Sequence, residues 1–383
     1  MFALPERGYV FWPVGNGDST TVVVDPKTVV QFDIHNLECA DDDDDPRVPI
    51  IDQLVELLPK NVDGKPYLAA FGLTHADEDH CLGFIELLKK VVIGDLWFSP
   101  YILRDEDDLC PDAEAFCKEA RRRVKKNIEE APVGSGDRIR VIGDHDLLRE
   151  EQYAGLPEEC LVPPGSAFSA IDGTDHGDEF RVFAHGPIGS EDEIERNDTS
   201  LAMQVTVAVD GQAARLLLLG DLAYPGMKRV FDEGEGESLE WDVLLAPHHC
   251  SKSVFYFADE EGEEPTLRED AIDALTDSAA PEAVVVASCE PVPATNKPGD
   301  DPPHADARKR YEEMVDEVIV TGEHPNEANP EPAVFELTGD GLTRRAAEGE
   351  ARQAQTVREA VRDTRGAAVP PTQLVGFGWR QPV

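Results

Sequence analysis

The sequence predicts an α/β protein, a sandwich of two β-sheets with helices on the outside. Three observations carry that expectation. The chain falls into two β-rich halves, each with helices between the strands. Its apolar runs are strand-length, and none approaches the roughly 18 residues of a membrane span. Hydrophobic residues make up 41% of the 383, enough for a packed core in spite of a formal charge of −43. No internal repeat of fixed period is present.

The elements follow in order. Tyr9 to Val14 and Ser19 to Val24 read as strands around the turn Gly15-Asn16-Gly17-Asp18, a hairpin signal. Val29 to Ile34 is a further strand, and Asp41 to Asp45 a solvated acidic loop. Pro49 to Leu58 has helical spacing of Ile50, Leu54, Leu57 and Leu58. Tyr67 to Thr74 is short and apolar, so a buried strand. Leu82 to Val91 reads as a helix, Ile93 to Phe98 as a strand, and Pro111 to Glu130 as a helix carrying Arg121, Arg122, Arg123, Lys125 and Lys126. That basic stripe is a solvated face or a partner surface. Strands are expected at Ile139 to Ile142, Glu179 to Ala184, Leu201 to Val209 and Ala214 to Leu219. Then come a helix at Pro225 to Phe231, a strand at Val243 to Ala246 and an acidic insertion at Asp259 to Glu264. Helices at Ala271 to Ser278 and Asp306 to Val315 alternate with strands at Ala283 to Ala287 and Val318 to Thr321. Pro332 to Leu337 ends the pattern. Residues 1–345 thus form one domain, and 346–383 a tail of different character. From residue 344 the chain holds seven Arg against four acids, which suits either a docking tail for a protein partner or a terminal helix packed on an acidic body.

Asp and Glu total 78 against 12 Lys and 23 Arg, and the excess is spread along the chain. Such self-repulsion is tolerable where molar salt shortens the Debye length to about 3 Å. A cytoplasmic protein of a salt-accumulating organism is therefore expected. The charge excludes a simple nucleic-acid-coating protein, which would carry a basic face. It leaves open an enzyme that brings cations to an anionic substrate. The first residues lack a basic segment followed by an apolar one, so no signal peptide is read. Seven Cys at irregular spacing, with no CxxC pair, read as reduced thiols.

The chemistry concentrates in Thr74-His75-Ala76-Asp77-Glu78-Asp79-His80. A buried strand ends there, and six residues offer two imidazoles and three carboxylates. In a turn, positions i, i+2, i+4 and i+5 can converge. So much like charge calls for a cation, and imidazole with carboxylate suits Zn, Mn or Fe. Two further strand ends carry ligand types: Asp221 in Gly220-Asp221, and Pro247-His248-His249-Cys250-Ser251-Lys252.

His75-Ala76-Asp77-Glu78-Asp79-His80 resembles the metallo-β-lactamase-fold signature in the variant where the second His is Asp, and that variant resembles the soluble domain of the ComEC DNA-uptake proteins. Val14-Gly15-Asn16-Gly17-Asp18-Ser19 resembles the family's VGQGDS turn, Asn197-Asp198-Thr199-Ser200-Leu201 its NNxSL element, Leu218 to Leu222 its LLTGDL, and Ala246 to Lys252 its VPHHGSK. The resemblance implies a four-layer αββα sandwich holding two divalent metal ions, Zn or Mn. It implies His75 and Asp77 on the first ion, completed by His185, and Asp79 and His80 on the second, completed by His248, with Asp221 as the bridge. His249 and His304 stand behind these, and His304 could donate a proton or hold a phosphate. Cys81 and Cys250 depart from the family pattern, as buried filler or as thiols beside the metals.

These residues imply a metal-dependent hydrolase, a phosphodiesterase or nuclease acting on DNA, RNA or a nucleotide through a metal-bound hydroxide. Asp79 would orient or deprotonate the nucleophile, and Lys252 would meet phosphate oxygens. The alternatives are hydrolysis of a lactone or thioester on the same metals, and a regulatory or interaction module that keeps the metal site. Fold alone does not choose.

Overall fold

Alternation along each strand decides which layer its side chains enter. Val10 and Trp12 face one core, while Tyr9 and Phe11 face another. In the second half, Val243 and Leu245 join the core shared with Tyr9, while Leu244 points away. Val284 and Val286 alternate with Val285 in the same way. Strands buried on both faces place the molecule in four layers. The computed structural model describes residues 2–42, 45–104, 108–187, 196–234, 236–260 and 262–347. The expected tail lies, from residue 348 on, outside the described residues, as do parts of the two acidic loops.

The first sheet has nine strands in the order Gly341–Arg344, Ala333–Thr338, Gly8–Phe11, Thr20–Asp25, Thr28–Phe32, Tyr67–Leu73, Val92–Phe98, Arg138–Ile142, Leu161–Val162. The second has seven: Glu317–Val320, Ala279–Ala287, Trp241–Leu245, Gln212–Leu218, Met203–Val209, Phe180–Ala184, Ala167–Phe168. Each sheet is part antiparallel and part parallel. The strands from Thr28–Phe32 to Leu161–Val162 run parallel, as do the first four of the second sheet.

The middle core joins the two inner faces, with Phe32, Trp97, Val182, Met203, Val205, Leu216 and Val286 among its members. The Tyr9 hydroxyl crosses it to the carbonyls of Val205 (3.0 Å) and Ala214 (2.6 Å). Helices Ile50–Leu57, Phe84–Lys90 and Pro111–Glu130 cover the outer face of the first sheet. Helices Tyr224–Glu233, Glu269–Ser278 and Ala305–Met314 cover that of the second. The fold is thus the expected αββα sandwich.

The long helix shows how local rules place an element. Pro111 opens it, and the Cys110 thiol accepts from the Ala113 N–H. Ala113, Phe116, Cys117, Ala120 and Val124 recur at helical spacing and are buried. Its basic stripe is mostly committed within the fold. Arg123 is 2% exposed, Arg122 pairs with Glu119 and Asp137, and Lys126 pairs with Asp137. Among the described residues, no helix is long and apolar enough to cross a membrane.

Candidate metal centre

Parallel strands bring their carboxyl ends to one edge, and the loops leaving that edge share a crevice. Five such loops supply the centre. Thr28–Phe32 leads to Asp33 and His35, and Tyr67–Leu73 to His75, Asp77, Asp79 and His80. In the second sheet, Gln212–Leu218 leads to Asp221, Trp241–Leu245 to His248 and His249, and Ala279–Ala287 to Ser288. Asp18 comes from the turn that precedes Thr20–Asp25, and its N–H bonds the Asp79 carbonyl at 3.1 Å.

Two donor sets meet at Asp221, which is 2% exposed. In the first, His75 Nε2 lies 3.6 Å from Asp77 Oδ2 and 3.8 Å from Asp221 Oδ2, with His248 Nε2 3.8 Å from Asp221 Oδ2. In the second, His80 Nε2 lies 3.1 Å from Asp221 Oδ1 and 3.3 Å from His249 Nε2. His249 Nε2 is in turn 3.2 Å from Asp79 Oδ2 and 3.5 Å from Asp221 Oδ2. Ligands held tetrahedrally at about 2.0–2.1 Å from one ion stand about 3.3 Å apart. Both sets approach that spacing.

The outer partners fix the rings. The Asp33 carboxylate accepts from the Thr74 N–H and hydroxyl, each at 2.7 Å, and holds His80 Nδ1 at 2.9 Å. His249 Nδ1 faces the Ser288 carbonyl at 3.2 Å and Asp18 Oδ1 at 3.5 Å. His75 Nδ1 faces the hydroxyls of Thr74 (3.1 Å) and Ser200 (3.3 Å). Each contact occupies Nδ1 and turns Nε2 inward, as a ligating imidazole requires. Asp18 stands on the Nδ1 edges of both His80 and His249, so it orients rings rather than joining the inner donors.

Electrostatics agree. Burial disfavours a charged His80, but Asp221 and Asp33 outweigh it and raise its pKa well above the ordinary value. Burial is likewise overcome at His249 by Asp221 and Asp18. Burial would raise Asp221, yet His80 and His249 hold it well below the usual carboxylate range. Burial also works against Asp79, which His249 and His80 bring down. The acids thus hold on to whatever positive charge is near. His75 Nε2, Asp221 Oδ1, Asp18 Oδ1 and His248 Nδ1 are buried with no hydrogen-bond partner. The first two of these face inward, and with an acid surplus and an N/O donor set they fit a divalent cation. Ligand atoms of Asp18, His80, Asp221 and His249 lie within 4.8 Å of one another.

The backbone is strained to make this. His248, His249 and Cys250 all have positive φ (49°, 52° and 64°), a left-handed run that L-residues avoid. Gly17 is required for a different reason. A Cβ there would sit 2.2 Å from His35 Nδ1. His35 itself is buried beside the group, and burial lowers its pKa to about 4 although Asp79 opposes this.

The structure brings together His75, Asp77, Asp79, His80, Asp221 and His248. Three residues stand elsewhere than the resemblance implied. The left-handed turn rotates the adjacent imidazoles, so His249 faces Asp79 and His80, while His248 lies on the side of His75. His185 is not brought to the group. Its Nε2 bonds the Ser238 carbonyl at 2.8 Å, its ring lies against Phe183, and with Arg181 and Glu233 it lines a cavity of about 600 Å³. His304 offers no free proton. Its Nδ1 accepts the Lys252 N–H at 3.3 Å and its Nε2 faces the Asp300 carbonyl at 3.1 Å. It therefore positions the backbone of Lys252. The Cys81 and Cys250 thiols turn toward the carbonyls of Asp77 and His304 rather than inward. Asp18, Asp33, His35 and the inner place of His249 were not foreseen. The Asp18 turn was visible only as a hairpin signal and a motif likeness.

No family model matches the chain, and no curated protein matches it. Solved structures show distant likeness. A subclass B3 metallo-β-lactamase, MEM-A1, from a soil metagenome library is 13% identical, over 63% of this chain and 77% of that one, with a TM-score of 0.33. The Rm3 metallo-β-lactamase is 14% identical, over 63% and 76%, with a TM-score of 0.36. Unliganded yeast PDE1 is 11% identical, over 82% and 97%, with a TM-score of 0.37. At such values the likenesses carry no weight beside the molecule's own sheets and side chains.

Proposed function

We propose that the protein is a metal-dependent hydrolase acting on a phosphodiester of DNA, RNA or a nucleotide. One observation carries the reading. Two inward-turned donor sets share the buried carboxylate of Asp221 at the carboxyl edge of both sheets. His75, Asp77, His248 and Asp221 would hold one divalent ion, and Asp79, His80, His249 and Asp221 a second. Such a pair supplies water activation and takes up negative charge on the reacting group.

The chain's own residues do the rest. The Asp79 side chain is 37% exposed, against 3% for Asp221, so its carboxylate is both at the centre and open to substrate. Burial of Asp33, Thr74 and Ser288 keeps the imidazoles from turning. Lys252, anchored through its N–H to His304, supplies a positive charge for phosphate oxygens near His248. Lys252 and the acid-for-His change at Asp77 favour phosphate over a lactone or thioester.

The test is a substrate panel in molar KCl with purified protein loaded with Zn or Mn. It should contain a chromogenic phosphodiester, single- and double-stranded DNA, RNA, cyclic nucleotides, a lactone and a thioester. Turnover of a phosphodiester class that disappears in Asp79→Ala is expected. Turnover confined to the lactone or thioester would move the reading to that class. No turnover of any, with Asp79→Ala indistinguishable from wild type, would end it.

A further inference from the structure

The two donor sets are not equal, and the difference lies in one cation the chain brings itself. Arg196 Nη1 bonds Asp77 Oδ1 at 2.7 Å. Asp77 belongs to the first set, where its other oxygen faces His75 Nε2 at 3.6 Å. The guanidinium therefore already neutralises a carboxylate that a metal ion would need. Among the described residues, no Lys or Arg pairs with the second set: Asp79, His80 and His249 face one another and Asp221.

Outer-shell support differs in the same direction. In the second set both imidazoles are braced at Nδ1, His80 by Asp33 and His249 by the Ser288 carbonyl. In the first set His75 is braced by two hydroxyls, but His248 Nδ1 is buried without a hydrogen-bond partner. Bracing a ligating His at its second nitrogen raises metal affinity. Spacing agrees as well. The contacts of the second set run from 3.1 to 3.5 Å, and those of the first from 3.6 to 3.8 Å.

We propose that Arg196 is a resident counter-ion of the first set, so that the centre loads in order, the second set first and tightly, the first set later and more weakly because Arg196 already offsets the charge of Asp77. This rests on the metal reading of the centre. The pair is partly open, at 25% exposure for Arg196 and 32% for Asp77, so water screens it and its hold on the first set is modest. Metal availability then sets how many ions the protein carries.

The experiment is calorimetric titration of the chelator-stripped full chain with Zn²⁺ in molar KCl. Wild type should take up two ions in two resolved steps. Arg196→Ala and Arg196→Gln should tighten the weaker step by about threefold or more, the worth of a partly exposed ion pair, and leave the tighter step unchanged. Arg196→Lys should keep the weak step weak. Absorption of the first Co²⁺ equivalent should be the same in wild type and Arg196→Ala, since that ion sits in the other set. The proposal fails if wild type binds two ions with equal affinity, or if the weaker step is unmoved in both Ala and Gln variants. Either result would leave the metal reading standing. Absence of any Zn²⁺ uptake would overturn that reading and this one together.

Discussion

Two buried charged regions sit at opposite edges of the first sheet. At the amino edge of Val92–Phe98, Arg123 is fully enclosed, and every part of its guanidinium is answered. Nε bonds Glu119, Nη1 the carbonyls of Gly94 and Arg138, and Nη2 that of Ile93, between 2.7 and 3.2 Å. At the carboxyl edge, the acid–imidazole group leaves two inner atoms, His75 Nε2 and Asp221 Oδ1, and two outer ones, Asp18 Oδ1 and His248 Nδ1, unanswered. Burial of charge is common to both. What separates the Arg123 network from the acid–imidazole group is whether the hydrogen-bond account closes.

The sharpest way to break that contrast is Arg123→Met. Removing the cation strands three carbonyls, while Glu119 keeps Arg122, and about 2–4 kcal/mol of stability should go. Urea unfolding in molar KCl would read it. Metal uptake should be unchanged, and a variant that loses metal but not stability would invert the comparison. Asp221→Asn should do the opposite. Both uptake steps should weaken by at least about a hundredfold, the upper figure for outer-shell changes serving here as a floor. The fold should persist in circular dichroism. Asp33→Asn removes the charged brace on His80 and reaches His75 only through Thr74. It should weaken the tighter step by about tenfold and the weaker one by less.

The smallest effect concerns His185, a buried imidazole whose contacts lie outside the centre. Burial lowers its pKa to about 4, with the Ser238 carbonyl opposing. Between pH 6.5 and 4 the unfolded chain therefore binds the proton that the folded chain refuses. Stability is lost as pH falls through that window, at no more than ~1 kcal/mol per pH unit from this group. His185→Gln should flatten the slope there and leave metal uptake intact. A loss of metal in that variant would return His185 to the centre.

The sequence foretold most strands within two residues, because apolar alternation and short runs survive in any context. Pro111 to Glu130 was legible end to end, since Pro111 opens it and its apolar spacing is regular. The strands Leu161–Val162 and Ala167–Phe168 were not, because two residues carry no period. At the centre, His75 to His80 was legible through density alone. Asp33 was hidden in the last turn of a strand, and its partner Thr74 lies 41 residues away. The choice between His248 and His249 depends on three left-handed residues in succession, which nothing in the order of side chains announces. A His that follows a strand, as His185 does, fixes where the backbone emerges but not where the ring turns.

Asp221 has a consequence beyond chemistry. It rises from the second sheet, and four of the six donors around it rise from the first. An ion held there would tie the two layers at their open rim, so its binding would add to the stability of the whole sandwich and not only to its chemistry.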